Sequence, residues 1–243
     1  MKNYFFIITL PFFCQIVFSQ NFTIKSSTST QQQEKNIETE ITGETIMAKD
    51  LIILPEPKKQ GEISVEECIA RRRSIRNFRK ENLSVEQISQ ILWSAQGITD
   101  PERKFRSAPS AGALYPMELY LLSSNGVFHY LPESHKLEKI SNKDLRQELS
   151  DAAWGQNFIS DAGISIIICA VYGRTTWRYG QRGIRYVDME AGHIAQNIHL
   201  QAVALGLGSV PVGAFSDEKV KNLLNLPKDH QPIYIIPVGY PLE

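Results

Sequence analysis

YVDMEAGHIAQNIHLQAVALG, residues 186–206, is the longest periodic segment of the chain. Val187, Ala191, Ile194, Ala195, Ile198, Ala202 and Leu205 recur mostly at steps of three and four, as on one face of an α-helix. Gly206 and Gly208 follow, so the spacing predicts a long buried helix that stops there. Two other readings of the same stretch fail. Glu190 and His193 have the spacing of a carboxylate–histidine metal pair, but no second pair accompanies them. His193 therefore reads as a satisfied histidine inside the core, and no metal is expected. Gly206, Gly208 and Gly213 look like part of a dinucleotide-binding fingerprint, which needs a strand before the glycines and a helix after them. Here the helix comes first, so a Rossmann site is rejected.

The segments on either side are punctuated clearly. ISIIICAVY (164–172) is continuously apolar and β-branched, which suits a central strand covered on both faces. NKDLRQELSDAAW (142–154) reads as helix, and ELYLLSS and VFHY flank Asn125-Gly126 as a hairpin. Ser64 with Glu67, and Ser84 with Gln87, are capping boxes. The first starts a helix through about Arg72; the second starts one with Ile88, Ile91, Leu92 and Ala95 on one face. Before them LIILPEPKKQG (51–61) is an extended arm, kept from helix by Pro55 and Pro57. After the long helix come the short SVPVGAF (209–215), a helix capped by Ser216, and a last strand PIYIIPVGY (232–240). ITDPERKFRS (98–107) and RTTWRYGQRG (174–183) read as open loops. Helices and a hairpin around a small sheet make an α+β domain.

The 243 residues carry 26 basic and 26 acidic side chains and are 42% hydrophobic. That is ample for a packed core, and the neutral balance excludes a general nucleic-acid binder. MKNYFFIITLPFFCQIVFSQ (1–20) has one Lys, an apolar run and a small residue at Ser19, the pattern of a signal peptide over residues 1–19. The run is too short and interrupted for a good membrane span, and an uncleaved leader is the one route to a membrane. Residues 20–51 are polar and nearly free of aromatic residues, a tether, and residues 52–243 are the folded domain. The expected location is outside the cytoplasm, in the periplasm. Of the cysteines beyond the leader, Cys169 lies in an apolar run and reads as a packing thiol rather than half of a disulfide with Cys68.

RRRSIRNF (71–78) concentrates four arginines in a chain of zero net charge. Arg72, Ser74 and Arg76 alternate, so an extended backbone would point them to one face. Two guanidinium forks and a hydroxyl suit a phosphate, while the spacing alone equally allows a solvated basic turn. SAPSAGALYP (107–116) and SVPVGAF are runs of small residues that let backbone approach a flat partner. No Ser-His-Asp or Cys-His arrangement carries a signature, so hydrolysis has no support.

The order of these stretches resembles the nitroreductase superfamily of FMN enzymes: R-R-S-x-R-x-F at 72–78, P-S-x-G-x-x-x-P at 109–116 and G-x-x-S-x-P-x-G-x-F at 206–215. RRRSIRNF, PSAGALYPMELYLL, GVFHYLPESHKLEKI and RYVDMEAGHIAQNIHLQAVALGLGS are more closely similar to the SagB-type dehydrogenases, across about residues 52–243. The resemblance implies a nitroreductase-like FMN-binding fold, with a small mixed or antiparallel sheet packed by helices, and a homodimer sharing its flavin sites. Arg72, Ser74 and Arg76 are then expected to hold the FMN phosphate and ribityl end, with Arg73 contributing backbone. Ser110, Ala111 and Gly112 would line the flavin from the partner subunit, and Pro211, Val212, Gly213 and Ala214 would pass close to its ring. Azoline-oxidising relatives carry a Lys-Tyr pair where this chain has Arg178-Tyr179. Arginine stays protonated and cannot act as a base, which leaves Tyr179 to donate or relay a proton.

The implied function is an exported FMN-dependent dehydrogenase or oxidase. It would move hydride from a small or peptide-derived substrate to FMN and on to oxygen or a quinone. The alternatives are an NAD(P)H-dependent nitroreductase or quinone reductase, and a flavin-binding protein without turnover.

Overall fold

The computed structural model describes residues 50–242. The chain enters as β1 (Leu51–Ile53) and forms α1 (Val65–Arg71), α2 (Val85–Gln96), β2 (Ile98–Asp100) and β3 (Phe105–Arg106). β4 (Met117–Ser123), β5 (Gly126–Leu131) and β6 (Lys136–Ser141) form a meander, followed by α3 (Arg146–Ala152) and α4 (Phe158–Asp161). Next come β7 (Ile164–Ala170), α5 (Gly173–Tyr179), α6 (Arg182–Ala204), β8 (Gly208–Ser209), α7 (Asp217–Leu224) and β9 (Gln231–Gly239).

Seven strands make one sheet in the order β1-β6-β5-β4-β7-β9-β8, every neighbouring pair antiparallel. β2 and β3 form a separate hairpin. β7 is central, with Leu121 opposite Ile166 on one side and Ile236 opposite Ile166 on the other. Its alternate residues serve two cores. Ile164, Ile166 and Ile168 pack with Leu119, Leu121 and Ile236 under α2 and α6, whose Ile91, Leu92, Val187, Ile194 and Ile198 are buried. Ile167 and Cys169 pack with Tyr120, Leu122 and Ile235 under α3, α4 and α7, through Leu149, Ile159 and Val220. Burial on both faces accounts for the unbroken apolar run of β7 in an antiparallel sheet.

The helix starts follow their caps. Ser64 accepts the Glu67 N–H at 3.1 Å, and at Ser84 the reciprocal box closes, with Gln87 Oε1 accepting the Ser84 N–H at 2.9 Å. Cys68 and Cys169 are buried and free, and burial pushes both thiols up.

Several expectations change. α6 begins at Arg182, four residues before the quoted segment, and residues 174–179 of the expected loop are helix α5. Thr175 and Thr176 give α5 no apolar period; it is helical because it packs on the first turn of α6, where a Cβ on Gly183 would lie 3.1 Å from the Thr175 carbonyl. The second expected loop holds the β2–β3 hairpin. His193 is exposed, because α6 buries Val187, Glu190, Ala191, Ile194 and Ile198 while His193 shares the outer face with Met189 and Gln196. The leader and most of the tether lie outside the described residues, and among those described no helix is long and apolar enough to cross a membrane. No group of three or more His, Cys, Asp or Glu among them could hold a metal ion.

Candidate functional site

The arginine segment leaves α1 and lies beside β8. Ser74 bridges Ser209 in parallel, and the Ile75 N–H donates to the Ser209 carbonyl at 3.1 Å. This approach requires glycine at 208, since a Cβ there would come 2.8 Å from Ile75 Cβ. On its other side the Leu242 N–H donates to the Asn77 carbonyl at 2.9 Å.

The charges on this segment are unevenly neutralised. Arg71 pairs with Glu67 at 2.9 Å and Arg79 with Glu81 at 3.3 Å. Arg72, Arg73 and Arg76 have no carboxylate within ion-pairing range among the described residues. Arg73 Nη1 donates to the carbonyls of Ala70 and Arg72 at 2.9 and 2.7 Å, and the Arg76 guanidinium lies 5.9 Å from the Phe158 ring centre. Beside them the buried His199 on α6 shares a 2.8 Å hydrogen bond with Ser209 Oγ. Burial, then the nearby Arg72 charge, hold its ring down to about 4, so it is neutral at physiological pH. A cleft of about 180 Å³ lined by Arg71, Arg73, Ile75, His199, Gly208 and Ser209 opens there. Arg73 lines this cleft and the Arg72 charge acts on His199, while Arg76 turns to Phe158; guanidinium groups without a carboxylate among the described residues are of the kind that suits an anion.

From Ser209 the chain continues through Pro211 and Val212, which pairs with Ile235, to the exposed Gly213 and Ala214. Gln156 Nε2 donates to the Ala214 carbonyl at 2.8 Å. The α3–α4 connection thus touches the arginine segment through Phe158 and the 211–214 strip through Gln156, and sequence reading assigned neither residue a role. Their only signal was position in an unremarked helix boundary.

The second small-residue stretch forms a tight turn over Ala111–Ala113. Gly112, Ala113 and Tyr115 have φ of +63°, +53° and +45°. A Cβ on Gly112 would stand 2.8 Å from the Tyr179 hydroxyl and 3.0 Å from Arg178 Nη1, so glycine is needed for conformation and space alike. The turn is held by Ser110 Oγ accepting the Tyr115 N–H at 2.9 Å and by Arg174 Nη1 donating to the Tyr115 carbonyl at 3.3 Å. Glu190 on α6 is buried, and Gln96 Nε2 donates to its Oε1 at 3.3 Å.

The sequence-chosen residues therefore fall into two groups. Residues 74 and 75 meet Gly208 and Ser209, from which the 211–214 strip continues, and Gly112 lies against Arg178 and Tyr179. The groups adjoin α6 at His199 and at Glu190, about 13 Å apart at 1.5 Å rise per residue. No hydrogen bond or ion pair between described residues joins them directly. A larger cleft of about 790 Å³ lies between the arm and α1, α2 and α6, lined by Lys58, Gln90, Trp93, Asn197 and Gln201 among others. It contains none of the sequence-chosen residues, and its charged lining is mixed, with Lys58 and Lys59 beside Glu56, Glu62 and Glu86, whereas the smaller cleft is lined by Arg71 and Arg73 with no acid.

The model of the nitroreductase family matches residues 69–240. The chain is 44% identical over 188 residues to MJ1384 of Methanocaldococcus jannaschii, named as a nitroreductase, covering 75% of this chain and 93% of that one. It is 30% identical over 158 residues to the microcin B17-processing protein McbC of Escherichia coli, covering 60% of this chain and 58% of McbC. With the FMN reductase [NAD(P)H] of Bacillus subtilis it shares 25% over 185 residues, 70% of this chain and 63% of that one. The crystal structure of a nitroreductase-type protein from Ralstonia eutropha JMP134 superposes with a TM-score of 0.73 at 27% identity, covering 79% of this chain and 90% of that one. With the same antiparallel sheet between helical layers, and its motifs inside the matched span, the chain belongs to the nitroreductase family of flavin-dependent oxidoreductases.

Proposed function

We propose that the chain is an FMN-dependent dehydrogenase or oxidase of the SagB type, oxidising a small or peptide-derived substrate with oxygen or a quinone as final acceptor. The observation that carries the cofactor assignment is the set of three arginines, Arg72, Arg73 and Arg76, lacking carboxylate partners among the described residues beside Ser209. FMN, when bound, supplies two-electron acceptor chemistry. Arg72, Ser74 and Arg76 bind its phosphate and ribityl end, with Arg73 contributing backbone. Pro211, Val212, Gly213 and Ala214 offer a narrow strip of backbone to a flat ring. Ser110, Ala111 and Gly112 line the ring from a second subunit.

Two features support a shared site. The two groups sit apart on one chain, and the 180 Å³ cleft is smaller than the roughly 300–1,000 Å³ usual for a ligand of this size. Trp177, Ile184 and Met189 are exposed around α5 and α6, apolar surface suited to burial against a second copy. Tyr179 is the residue assigned to hold or relay a proton beside the substrate, and the always-charged Arg178 orients and neutralises rather than acting as base. Export to the periplasm rests on the leader pattern of residues 1–19.

The similarity to MJ1384, named as a nitroreductase, favours a second reading, an NAD(P)H-driven nitroreductase or quinone reductase. The test is the visible spectrum of the purified full chain, with release of its chromophore by denaturation. A stoichiometric flavin that runs as FMN is expected, and anaerobic NADPH then separates the readings by bleaching it or leaving it oxidised. A colourless chain that takes up no added FMN overturns both.

A further inference from the structure

The arginines of the chain, all between residues 71 and 185, divide evenly by partner. Arg71, Arg79, Arg103, Arg106, Arg146 and Arg174 each lie within 4.0 Å of an Asp or Glu oxygen. The others have no such partner among the described residues, and they fall into two trios. Arg72, Arg73 and Arg76 are assigned to the cofactor phosphate. Arg178, Arg182 and Arg185 stand at the corner where α5 runs into α6, and all three are exposed.

Nothing in that corner neutralises them. Asp188 accepts the Tyr172 hydroxyl at 2.7 Å, and Glu118 is paired with Arg174 and His129. Glu190 is 2% exposed and bonded to Gln96, and burial raises its carboxyl to about 7. The helix gains nothing from the charges either. α6 opens with Arg182 and Arg185 and no acid in its first turn, an arrangement that opposes the helix dipole. What supports the cations is aromatic. The Arg178 guanidinium lies 5.4 Å from the Tyr179 ring centre and that of Arg182 5.8 Å from the Tyr186 ring centre. The two rings meet edge to face at 5.3 Å, so one tyrosine pair carries a cation on each ring. A ring can steady a guanidinium plane and leave its N–H edges free for a carboxylate. The same pair fixes the corner beside the proposed site, since a Cβ on Gly112 would stand 2.8 Å from the Tyr179 hydroxyl and 3.0 Å from Arg178 Nη1. Neither cleft described above is lined by these arginines, so they serve an extended ligand on an open surface better than a small molecule that needs enclosure.

We propose that Arg178, Arg182 and Arg185 are specificity-determining residues that select a peptide-derived substrate carrying a run of Asp or Glu side chains, an inference that rests on the functional reading above and names its substrate class. Carboxylates of the run pair with the guanidinium edges, while the Tyr179 hydroxyl stays at the turn beside the reacting part of the substrate. Recognition by exposed charge acts on binding and weakens as salt rises.

The experiment is fluorescence anisotropy of a labelled hexaglutamate peptide with the FMN-loaded full chain at low ionic strength, with a hexaglutamine peptide as the neutral counterpart. The hexaglutamate peptide should bind, the hexaglutamine peptide should not, and added salt should release the complex. Replacing both Arg182→Gln and Arg185→Gln should raise the hexaglutamate dissociation constant about 5- to 30-fold. Replacing both Lys58→Gln and Lys59→Gln removes the same charge from the arm and should leave it unchanged. Equal binding of the two peptides, or an arginine double variant that binds as tightly as wild type, overturns the inference. So does a double variant that falls from dimer to monomer by light scattering, because the arginines then serve the subunit boundary. The readout needs no turnover, so the functional reading fails separately: a flavin bleached by NADPH, with peptide binding intact, overturns the dehydrogenase reading and leaves the acidic-peptide site in place.

Discussion

Gly112 and Tyr179 are fitted to each other: the place a Cβ would occupy on Gly112 is 2.8 Å from the Tyr179 hydroxyl. That contact joins the turn at 110–115 to α5 and sets where the hydroxyl stands. Gly112→Ala must strain a backbone at φ +63° and displace Tyr179 or Arg178. We expect a loss of about 1–3 kcal/mol in thermal unfolding and a marked fall in the rate of substrate-driven flavin reduction. Gly155→Ala is the control, with φ +78° but nothing within 4 Å of its Cβ. It should lose stability without losing rate.

Arg72→Gln removes one of the three cations that lack a carboxylate among the described residues. A charge-assisted hydrogen bond of about 1.5–3 kcal/mol corresponds to a rise of about 10- to 100-fold in the FMN dissociation constant. Riboflavin, which lacks the phosphate, should bind wild type and variant alike. An equal loss for both ligands would place Arg72 away from the phosphate.

The raised Glu190 carboxyl predicts a pH dependence of stability with a definite sign. Folding favours the protonated acid, so this contribution is fully present below the ordinary value of 4.5 and is lost as pH rises through about 7. The loss is about 3 kcal/mol, at about 1.4 kcal/mol per pH unit. Thermal unfolding of the wild type from pH 4.5 to 8 should show the decline, and Glu190→Gln should flatten it.

Glu118 on β4 has the opposite sign. Burial pushes its carboxyl up, but the 2.7 Å hydrogen bond with His129 and the charge of Arg174 outweigh it and hold the group at about 2. Its contribution is present above about 4.5 and is lost as pH falls through about 2. Arg174→Gln should therefore shift acid unfolding to higher pH. The Arg174 side chain is 40% exposed, which limits the effect to about 0.5 kcal/mol. That is about 1–2 °C in the melting temperature at pH 4 for a domain of this size.

Much of the fold is legible from local rules. The apolar period of residues 187–205, the β-branched run of 164–170, the serine caps and Asn125-Gly126 each depend on hydrogen bonds or side-chain spacing within a few residues. The arginine, small-residue and 209–214 stretches were also visible, because the chemistry of a residue type travels with the sequence. Helix α5 was not, since its threonines and flanking glycines favour no helix until α6 packs against it. His193 was misjudged because a helix at the surface buries only one face, and which residues lie on the other depends on what covers it. The Glu190–Gln96 contact spans 94 residues, and Gln156 reaches Ala214 across 58. The sequence by itself therefore determined most of the elements, the family and the kinds of side chain at the site. Which of them meet, and that a carboxyl lies buried under the turn at 110–115, only the tertiary structure decided, because burial and long-range pairing arise when distant segments pack and have no local signature.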